Sequence, residues 1–119
     1  MKISEIKKLL GAELLCGEDC LDNDVESACC SDMMSDVLAY VKDQGVLITG
    51  LINPQVIRTA NMMDMYCVVF VRSKMPTDEM IDLAKECGIV VMTTDKRAYE
   101  ACGMLWSAGL STDSEGGNG

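Results

Sequence analysis

The fold is decided by residues 46–93, which read VLITGLINPQVIRTANMMDMYCVVFVRSKMPTDEMIDLAKECGIVVMT. Three short runs in this stretch, 46–49, 67–71 and 89–93, are continuously apolar and rich in β-branched residues. Such runs are typical of strands that are buried on both faces of a sheet. Because helical segments separate the three runs, the sequence predicts a parallel sheet covered by helices on both sides.

The helices between these strands carry start and stop signals. Asn53-Pro54 predicts a helix start, because asparagine caps a helix and proline fits its first position. The next helix is predicted to begin at residues 76–79 (PTDE) and to end at Gly88. A last helix is predicted over about 96–110.

The segments before residue 46 add elements to the same sheet. In chain order they are a helix capped by Ser4 and ended by Gly11, strands over 12–16 and 25–30, and a helix over 33–41 capped by Ser31 or Asp32. The fold class is therefore a single three-layer α/β domain with a mostly parallel sheet of about five strands, spanning residues 1–110. The polar, glycine-rich tail 111–119 is predicted to be disordered.

Composition limits the classes of function. The 119 residues carry a net charge of −9, with no Lys or Arg from Leu9 to Val41. A chain this acidic is a poor partner for nucleic acid or for an anionic membrane. The absence of histidine excludes Ser-His-Asp triads, Cys-His dyads and histidine zinc sites within this chain. No catalytic constellation can be assembled, so we expect a protein that is not an enzyme and has no cofactor.

The start of the chain does not have the pattern of an export signal. Residues 1–15, MKISEIKKLLGAELL, carry charges inside their apolar stretch and lack a small-residue cleavage site. No apolar run reaches the roughly 18 residues that a membrane span needs. We therefore expect a cytoplasmic protein.

Basic and polar residues follow the three central strands. In open α/β sheets, ligands bind beyond the carboxyl ends of the strands, where helix N-termini add positive partial charge. An anion pocket is one interpretation; the other is that loops beside buried strands are charged because they are solvated. No GxGxxG or GxxxxGK[ST] motif supports a dinucleotide or P-loop site. The predicted ligand-binding residues are Asn53, Gln55, Arg58, Arg72, Lys74, Thr94 and Asp95.

Two acidic residues, Asp32 and Asp36, lie at helical spacing directly after a predicted strand. Paired carboxylates can bind Mg²⁺ through phosphate bridges or act as an acid–base pair. Helix capping and a solvated helix face explain the same pattern more simply.

Four of the seven cysteines fall within 15 residues: Cys16, Cys20, Cys29 and Cys30. Four thiolates could hold zinc or an iron–sulfur cluster, but this spacing matches no common pattern. Adjacent Cys29 and Cys30 on one strand would face opposite sides, so we expect no bound metal. The remaining cysteines are predicted to be small core residues: Cys67, Cys87 and Cys102.

The chain has ten methionines and one tryptophan, more large flexible apolar side chains than a small domain readily covers. Core filling is one interpretation, and a self-association surface is the other. We predict a homodimer, the commonest closed arrangement, through the helices that bear these residues. They are Met33, Met34, Met62, Met63, Met65, Met104 and Trp106.

Four stretches resemble stand-alone DRTGG-domain proteins. They are residues 30–40 (CSDMMSDVLAY), 47–60 (LITGLINPQVIRTA), 84–89 (AKECGI) and 99–103 (YEACG). The resemblance covers about residues 3–110 and implies a fold similar to the N-terminal domain of HPr kinase/phosphorylase. The family's Thr-Gly-Gly, which follows a buried strand, is not intact: after Val71 this chain reads Arg72-Ser73-Lys74, which offers side-chain charge in place of close backbone approach.

The resemblance also implies a function. Related domains accompany CBS pairs in regulated pyrophosphatases and occur in some phosphotransacetylases, where they look regulatory or dimer-forming. We therefore expect a non-catalytic regulatory module that senses a small anion or nucleotide, or docks a partner enzyme or kinase. Stand-alone members are reported among genes for iron hydrogenases and histidine-kinase-like proteins in anaerobes, which implies a kinase or hydrogenase-related partner. The alternative is a metal-thiolate or iron–sulfur accessory protein in anaerobic redox metabolism.

Overall fold

The computed structural model describes residues 1–40 and 45–110. Its helices and strands are, in chain order, α1 (Ile3–Leu10), β1 (Glu13–Cys16), β2 (Ser27–Cys30), α2 (Met34–Tyr40), β3 (Gly45–Thr49), α3 (Pro54–Met62), β4 (Cys67–Phe70), α4 (Asp78–Cys87), β5 (Val90–Thr93) and α5 (Ala98–Ser107). A 3₁₀ turn, Glu18–Cys20, lies in the acidic loop after β1. The predicted tail 111–119 and the end of the helix predicted over 33–41 fall outside the described residues.

The five strands form one sheet in the order β1-β5-β4-β3-β2. Strands β2, β3, β4 and β5 are parallel, while β1 pairs with β5 in the antiparallel sense. Every residue of β3, β4 and β5 is buried, as their continuous apolar sequences predict. The predicted α/β fold with a mostly parallel sheet of five strands is confirmed.

Helices cover both faces of this sheet and produce three layers. Helices α1 and α5 enclose one core, and α2, α3 and α4 enclose the other. We call these the α5 side and the α4 side of the sheet. Because successive strand residues point to opposite faces, Val46 and Ile48 pack on the α5 side while Leu47 packs on the α4 side.

Local signals set the ends of the central helices. Asn53 caps α3 by accepting a hydrogen bond from the backbone N–H of Gln55 at 2.8 Å. Thr77 caps α4 in the same way, and Gly88 ends α4 with a left-handed φ of 71° that suits glycine. None of the helices within residues 1–40 and 45–110 has the length and apolar character needed to cross a membrane.

The predicted caps Ser4 and Asp32 are wrong, whereas Ser31, the other candidate for α2, accepts a hydrogen bond from the N–H of Met33 at 3.0 Å just before that helix. Helix α1 already begins at Ile3, so Ser4 lies inside it, and the N–H of Lys2 is bonded by the side chain of Glu5 at 3.3 Å. Helix α2 begins at Met34, and the carboxylate of Asp32 bonds to the strand next to β2 instead of to this helix.

The large apolar side chains are divided between core and surface. Met65 is buried, and Met34, Met63 and Met104 pack partly against the two cores. The exposed members of the set are Met33, Met62 and Trp106. Met62 on α3 and Trp106 on α5 lie on opposite sides of the sheet, so they do not share one surface, and self-association through these helices stays a prediction.

Phe70 in the central strand β4 tests the packing of the core. Its ring is fully buried, so Phe70→Ala should leave a cavity and lower the free energy of unfolding by about 3–5 kcal/mol. Met62 is 66% exposed on α3, and Met62→Ala should change that free energy by no more than about 0.5 kcal/mol. Urea denaturation of both variants measures the difference. Equal losses for the two would contradict the placement of Met62 on the surface.

Candidate functional site

A cleft of about 440 Å³ opens where β2, β3 and β4 end beside the start of α5. We call it the edge cleft. It is lined by Cys30, Asp32, Thr49, Gly50, Val71, Arg72, Arg97, Ala98 and Tyr99. Its size falls in the range of small-molecule sites, and the carboxyl edge of a parallel sheet is where α/β folds place their ligands.

Two arginines give the edge cleft positive charge. Arg72 follows β4 and Arg97 directly precedes α5. A Cβ on residue 50 would lie 3.0 Å from Nη2 of Arg72, so the lack of a side chain at Gly50 lets the guanidinium lie across it. The first turn of α5, at Ala98 and Tyr99, adds the positive end of a helix dipole. The cleft is therefore cationic within a chain whose net charge is −9.

The backbone that carries Arg72 is strained. Arg72 and Ser73 both adopt left-handed conformations, with φ values of 55° and 58°. Each such residue costs on the order of 1–3 kcal/mol when it is not glycine. Two backbone hydrogen bonds of 2.8 Å hold the turn, from Arg72 N–H to the carbonyl of Lys96 and from Ser73 N–H to that of Thr94. The turn is thus fixed against the loop that follows β5.

Asp32 contributes the one carboxylate among the lining residues of the edge cleft. Its Oδ1 accepts hydrogen bonds from the backbone N–H of Gly50 and from the hydroxyl of Thr49, both at 2.8 Å. These two bonds, with a smaller contribution from nearby Arg72, hold the pKa of Asp32 below its ordinary value. The ionised carboxylate therefore ties the end of β2 to the end of β3. These bonds go to the end of β3 and to Gly50, and not to α2.

The structure divides the predicted site residues among several places. Of the seven, Arg72 lines the edge cleft. Thr94 and Asp95 line a separate hollow of about 410 Å³ beside Gly11 and Glu13. The reason is that β1 lies alongside β5, and the hydroxyl of Thr94 donates inward to the carbonyl of Leu10 at 2.7 Å. Thr94 is nevertheless close to the turn that carries Arg72, because its carbonyl accepts the hydrogen bond from the N–H of Ser73.

The other four predicted residues have contacts of their own. Asn53 caps α3, and the side-chain amide of Gln55 donates to Thr59 one turn later at 3.3 Å. Arg58 is exposed on α3. Lys74 is held through its backbone, because its carbonyl accepts a hydrogen bond of 2.7 Å from the hydroxyl of Thr93.

Sequence reasoning missed most of the lining of the edge cleft. Ligands bind beyond the carboxyl ends of strands, and β2 ends beside β3 at the same edge. If the sequence had shown that β2 and β3 are neighbours, Cys30 and Asp32 would have joined the predicted site residues. Tyr99 carries no such signal, because its position depends on how α5 crosses the sheet.

The four clustered cysteines do not converge on one ion. Cys16 lies in β1 and its thiol donates to the carbonyl of Ile89, while Cys29 and Cys30 lie in β2. These strands form opposite edges of the sheet, about 19 Å apart at the usual strand spacing. In the part of the chain that the structure describes, no group of three or more Cys, Asp or Glu side chains is arranged to hold a metal.

Comparison with known proteins shows a family match and similarity to a solved structure. The model of the DRTGG domain family matches residues 5–108. The fold is similar to a crystal structure of the CBS and DRTGG domains of the regulatory region of Clostridium perfringens pyrophosphatase, in complex with its activator diadenosine tetraphosphate. The TM-score is 0.70 at 17% identity, over 87% of this chain and 45% of that chain, so this chain spans less than half of its neighbour. No curated protein matches the chain.

The hydrogen bonds to Asp32 predict a pH-dependent contribution to stability. Because the folded pKa lies below the ordinary value of 3.8, ionised Asp32 stabilises the fold above that pH. This stabilisation is lost as the pH falls through the lowered folded pKa. Asp32→Asn keeps an accepting oxygen and removes the charge, so wild type should be the more stable at pH 7 by an amount that shrinks below pH 3.8.

Denaturant unfolding at a series of pH values measures this difference. Asp82→Asn, at an exposed position on α4, is the control and should differ from wild type by no more than about 0.5 kcal/mol. A difference for Asp32→Asn that stays constant with pH would show that the charge of Asp32 contributes nothing.

Proposed function

The chain belongs to the DRTGG domain family, and from that membership we propose that it is a regulatory module that binds a nucleotide-like anion in the edge cleft. One observation carries the proposal: Arg72, Arg97 and the first turn of α5 converge there. Guanidinium groups bind phosphate through paired hydrogen bonds, and the unpaired N–H groups of a helix start add further donors.

The remaining lining favours a nucleotide over a bare anion. Tyr99 is 91% exposed at the mouth of the cleft, where its ring can stack on a base. The ionised carboxylate of Asp32 can accept hydrogen bonds from ribose hydroxyls. The activator of the Clostridium perfringens pyrophosphatase region, diadenosine tetraphosphate, belongs to the same ligand class.

The proposed role is regulatory and does not include catalysis. Asp32 is held ionised by its hydrogen bonds, which makes it a poor proton donor at neutral pH. The chain has no histidine that could replace it. We place the protein in the cytoplasm, because its seven cysteines are all free thiols, which a reducing compartment preserves.

Two glycine substitutions at the left-handed turn test the ligand site. Both Arg72→Gly and Ser73→Gly relieve backbone strain, but only Arg72→Gly removes the guanidinium. Diadenosine tetraphosphate, ATP and inorganic pyrophosphate serve as probes in thermal-shift and calorimetric titrations. Wild type and Ser73→Gly should bind a nucleotide probe, and Arg72→Gly should bind it about tenfold more weakly or worse, since a charged hydrogen bond is worth about 1.5–3 kcal/mol.

The probes separate the outcomes. Binding of pyrophosphate alone would restrict the ligand to an inorganic anion. Equal affinity of Arg72→Gly and Ser73→Gly would contradict the role of Arg72, and the absence of binding by all three probes would contradict the proposed function.

The outward face of α5 favours self-association. Tyr99 and Trp106 are exposed there, beside an open groove of about 700 Å³ that Met104 also lines. Exposed aromatic and methionine side chains in one patch are typical of interface anchors. The proposed contact is a homodimer through α5. A kinase or hydrogenase-related partner, as the family resemblance implies, would use the same face.

Sedimentation velocity at micromolar concentration tests the homodimer. Wild type should sediment as a dimer, and Trp106→Ala should shift it to monomer because the substitution removes the largest exposed anchor. Met62→Ala, on the opposite side of the sheet, is the control and should stay dimeric. Wild type that sediments as a monomer would contradict the proposal.

A further inference from the structure

Cys30 lies at the end of β2 and faces the α5 side of the sheet. Alternation along the strand places Ala28 and Cys30 on one face and Cys29 on the other. Ala28 packs against the α5-side core and Cys29 against the α4-side core, as this pattern requires. Cys30 itself is exposed and lines the edge cleft.

Cys102 lies on α5, one turn after Ala98, and Ala98 lines the edge cleft. Its side chain is half-buried, packs against the α5-side core and reaches the groove on the outer face of α5. The sequence placed it in the core, but the structure puts it on the α5 side of the sheet, the side that Cys30 faces, where the edge cleft and the groove on α5 share Tyr99. Two residues 72 positions apart in the chain thus form a pair of neighbouring thiols at the surface.

The two thiols differ in acidity. The contact with Cys30 lowers the pKa of Cys102 below its ordinary value, which favours the thiolate form of Cys102. The same contact, together with burial, raises the pKa of Cys30. Redox-active cysteine pairs combine two such thiols. The thiol with the lower pKa attacks a disulfide, and the second thiol resolves the mixed disulfide that results.

We propose that Cys30 and Cys102 form a reversible intramolecular disulfide when the protein meets a low-molecular-weight disulfide oxidant. The Cys102 thiolate attacks one sulfur of the oxidant, which breaks its S–S bond and releases one thiolate. The sulfur of Cys30 then attacks Sγ of Cys102 and expels the second thiolate, and the Cys30 proton goes to the released thiolate. The two protein thiols are oxidised, and one oxidant disulfide is reduced to two thiols.

The surroundings of four of the other five cysteines set them apart from this pair, and the fifth, Cys20, is half-buried in the 3₁₀ turn after β1. Cys67 is wholly buried between the helical layers, and Cys16 is buried with its thiol bonded to Ile89. Cys87 is half-buried on α4, on the other side of the sheet. Burial raises the pKa of Cys29, which also points to that side.

The disulfide would join the end of β2 to the first turns of α5, directly beside the edge cleft. Cys30 lines the edge cleft, and Cys102 lines the groove on α5. A disulfide between them would therefore hold the wall of the cleft against the helix that carries the groove. Formation of the disulfide does not depend on a ligand, so its test is independent of nucleotide binding in the edge cleft.

Reduced full-length protein incubated with oxidised glutathione, followed by intact-mass measurement and peptide mapping, tests the pair. Wild type should lose two hydrogens, retain no glutathione and yield a Cys30–Cys102 linked peptide that dithiothreitol cleaves. Cys30→Ser should trap one glutathione on Cys102, because the resolving thiol is missing while the serine hydroxyl can still donate a hydrogen bond to the Cys102 thiolate. Cys102→Ser should form neither product, and Cys87→Ser, the control, should behave as wild type.

Thermal unfolding of each variant before oxidation shows that it is folded, and Cys30→Ala is a second variant at the exposed position. The proposal is overturned by a stable glutathione adduct on wild type, by a bond between two chains, or by linkage of any other pair. It is equally overturned if folded Cys30→Ser and Cys30→Ala both leave Cys102 unmodified.

Discussion

Burial of β3, β4 and β5 on both faces is the constraint from which the rest of the structure follows. No residue of these strands can face water, so each connection between them has to carry a helix that covers one face. Helical crossovers make the strands parallel and send their carboxyl ends to one edge. Gly50 and Arg72, which follow neighbouring strands, meet there for this reason.

The two lateral ends of this edge differ, because the outermost strand is antiparallel to its neighbour at one end and parallel at the other. Antiparallel β1 lies beyond β5, and the hydroxyl of Thr94 bonds across to the end of α1. On the other side β2 runs parallel to β3, so its exit adds Cys30 and Asp32 to the space beside Arg72. The direction of a single edge strand therefore decides which strand exits form the edge cleft.

The elements could be predicted from the sequence because their signals are local. The apolar runs, the Asn53-Pro54 helix start and the glycine at 88 each act within a few residues, and all three appear in the structure. The site could be predicted only in part, because it depends on strand order. Asp32 bonds to Thr49 and Gly50 only because β2 lies next to β3, and no periodicity in either segment encodes that neighbour. Cys102 occupies an apolar position of α5, yet its partner lies on a strand that the helix reaches only after the sheet is assembled.

The turn at Arg72 and Ser73 links strain to recognition. The backbone there adopts the conformation that glycine prefers, and the family pattern places a glycine pair after a buried strand. Glycine would form this turn without strain and would let a ligand approach the backbone closely. Arginine forms it at a cost, which the bonds to Lys96 and Thr94 offset, and sets a guanidinium across Gly50 beside Asp32. Because the turn itself does not need that side chain, the strained backbone at Arg72 is consistent with the proposed role of its guanidinium in the edge cleft.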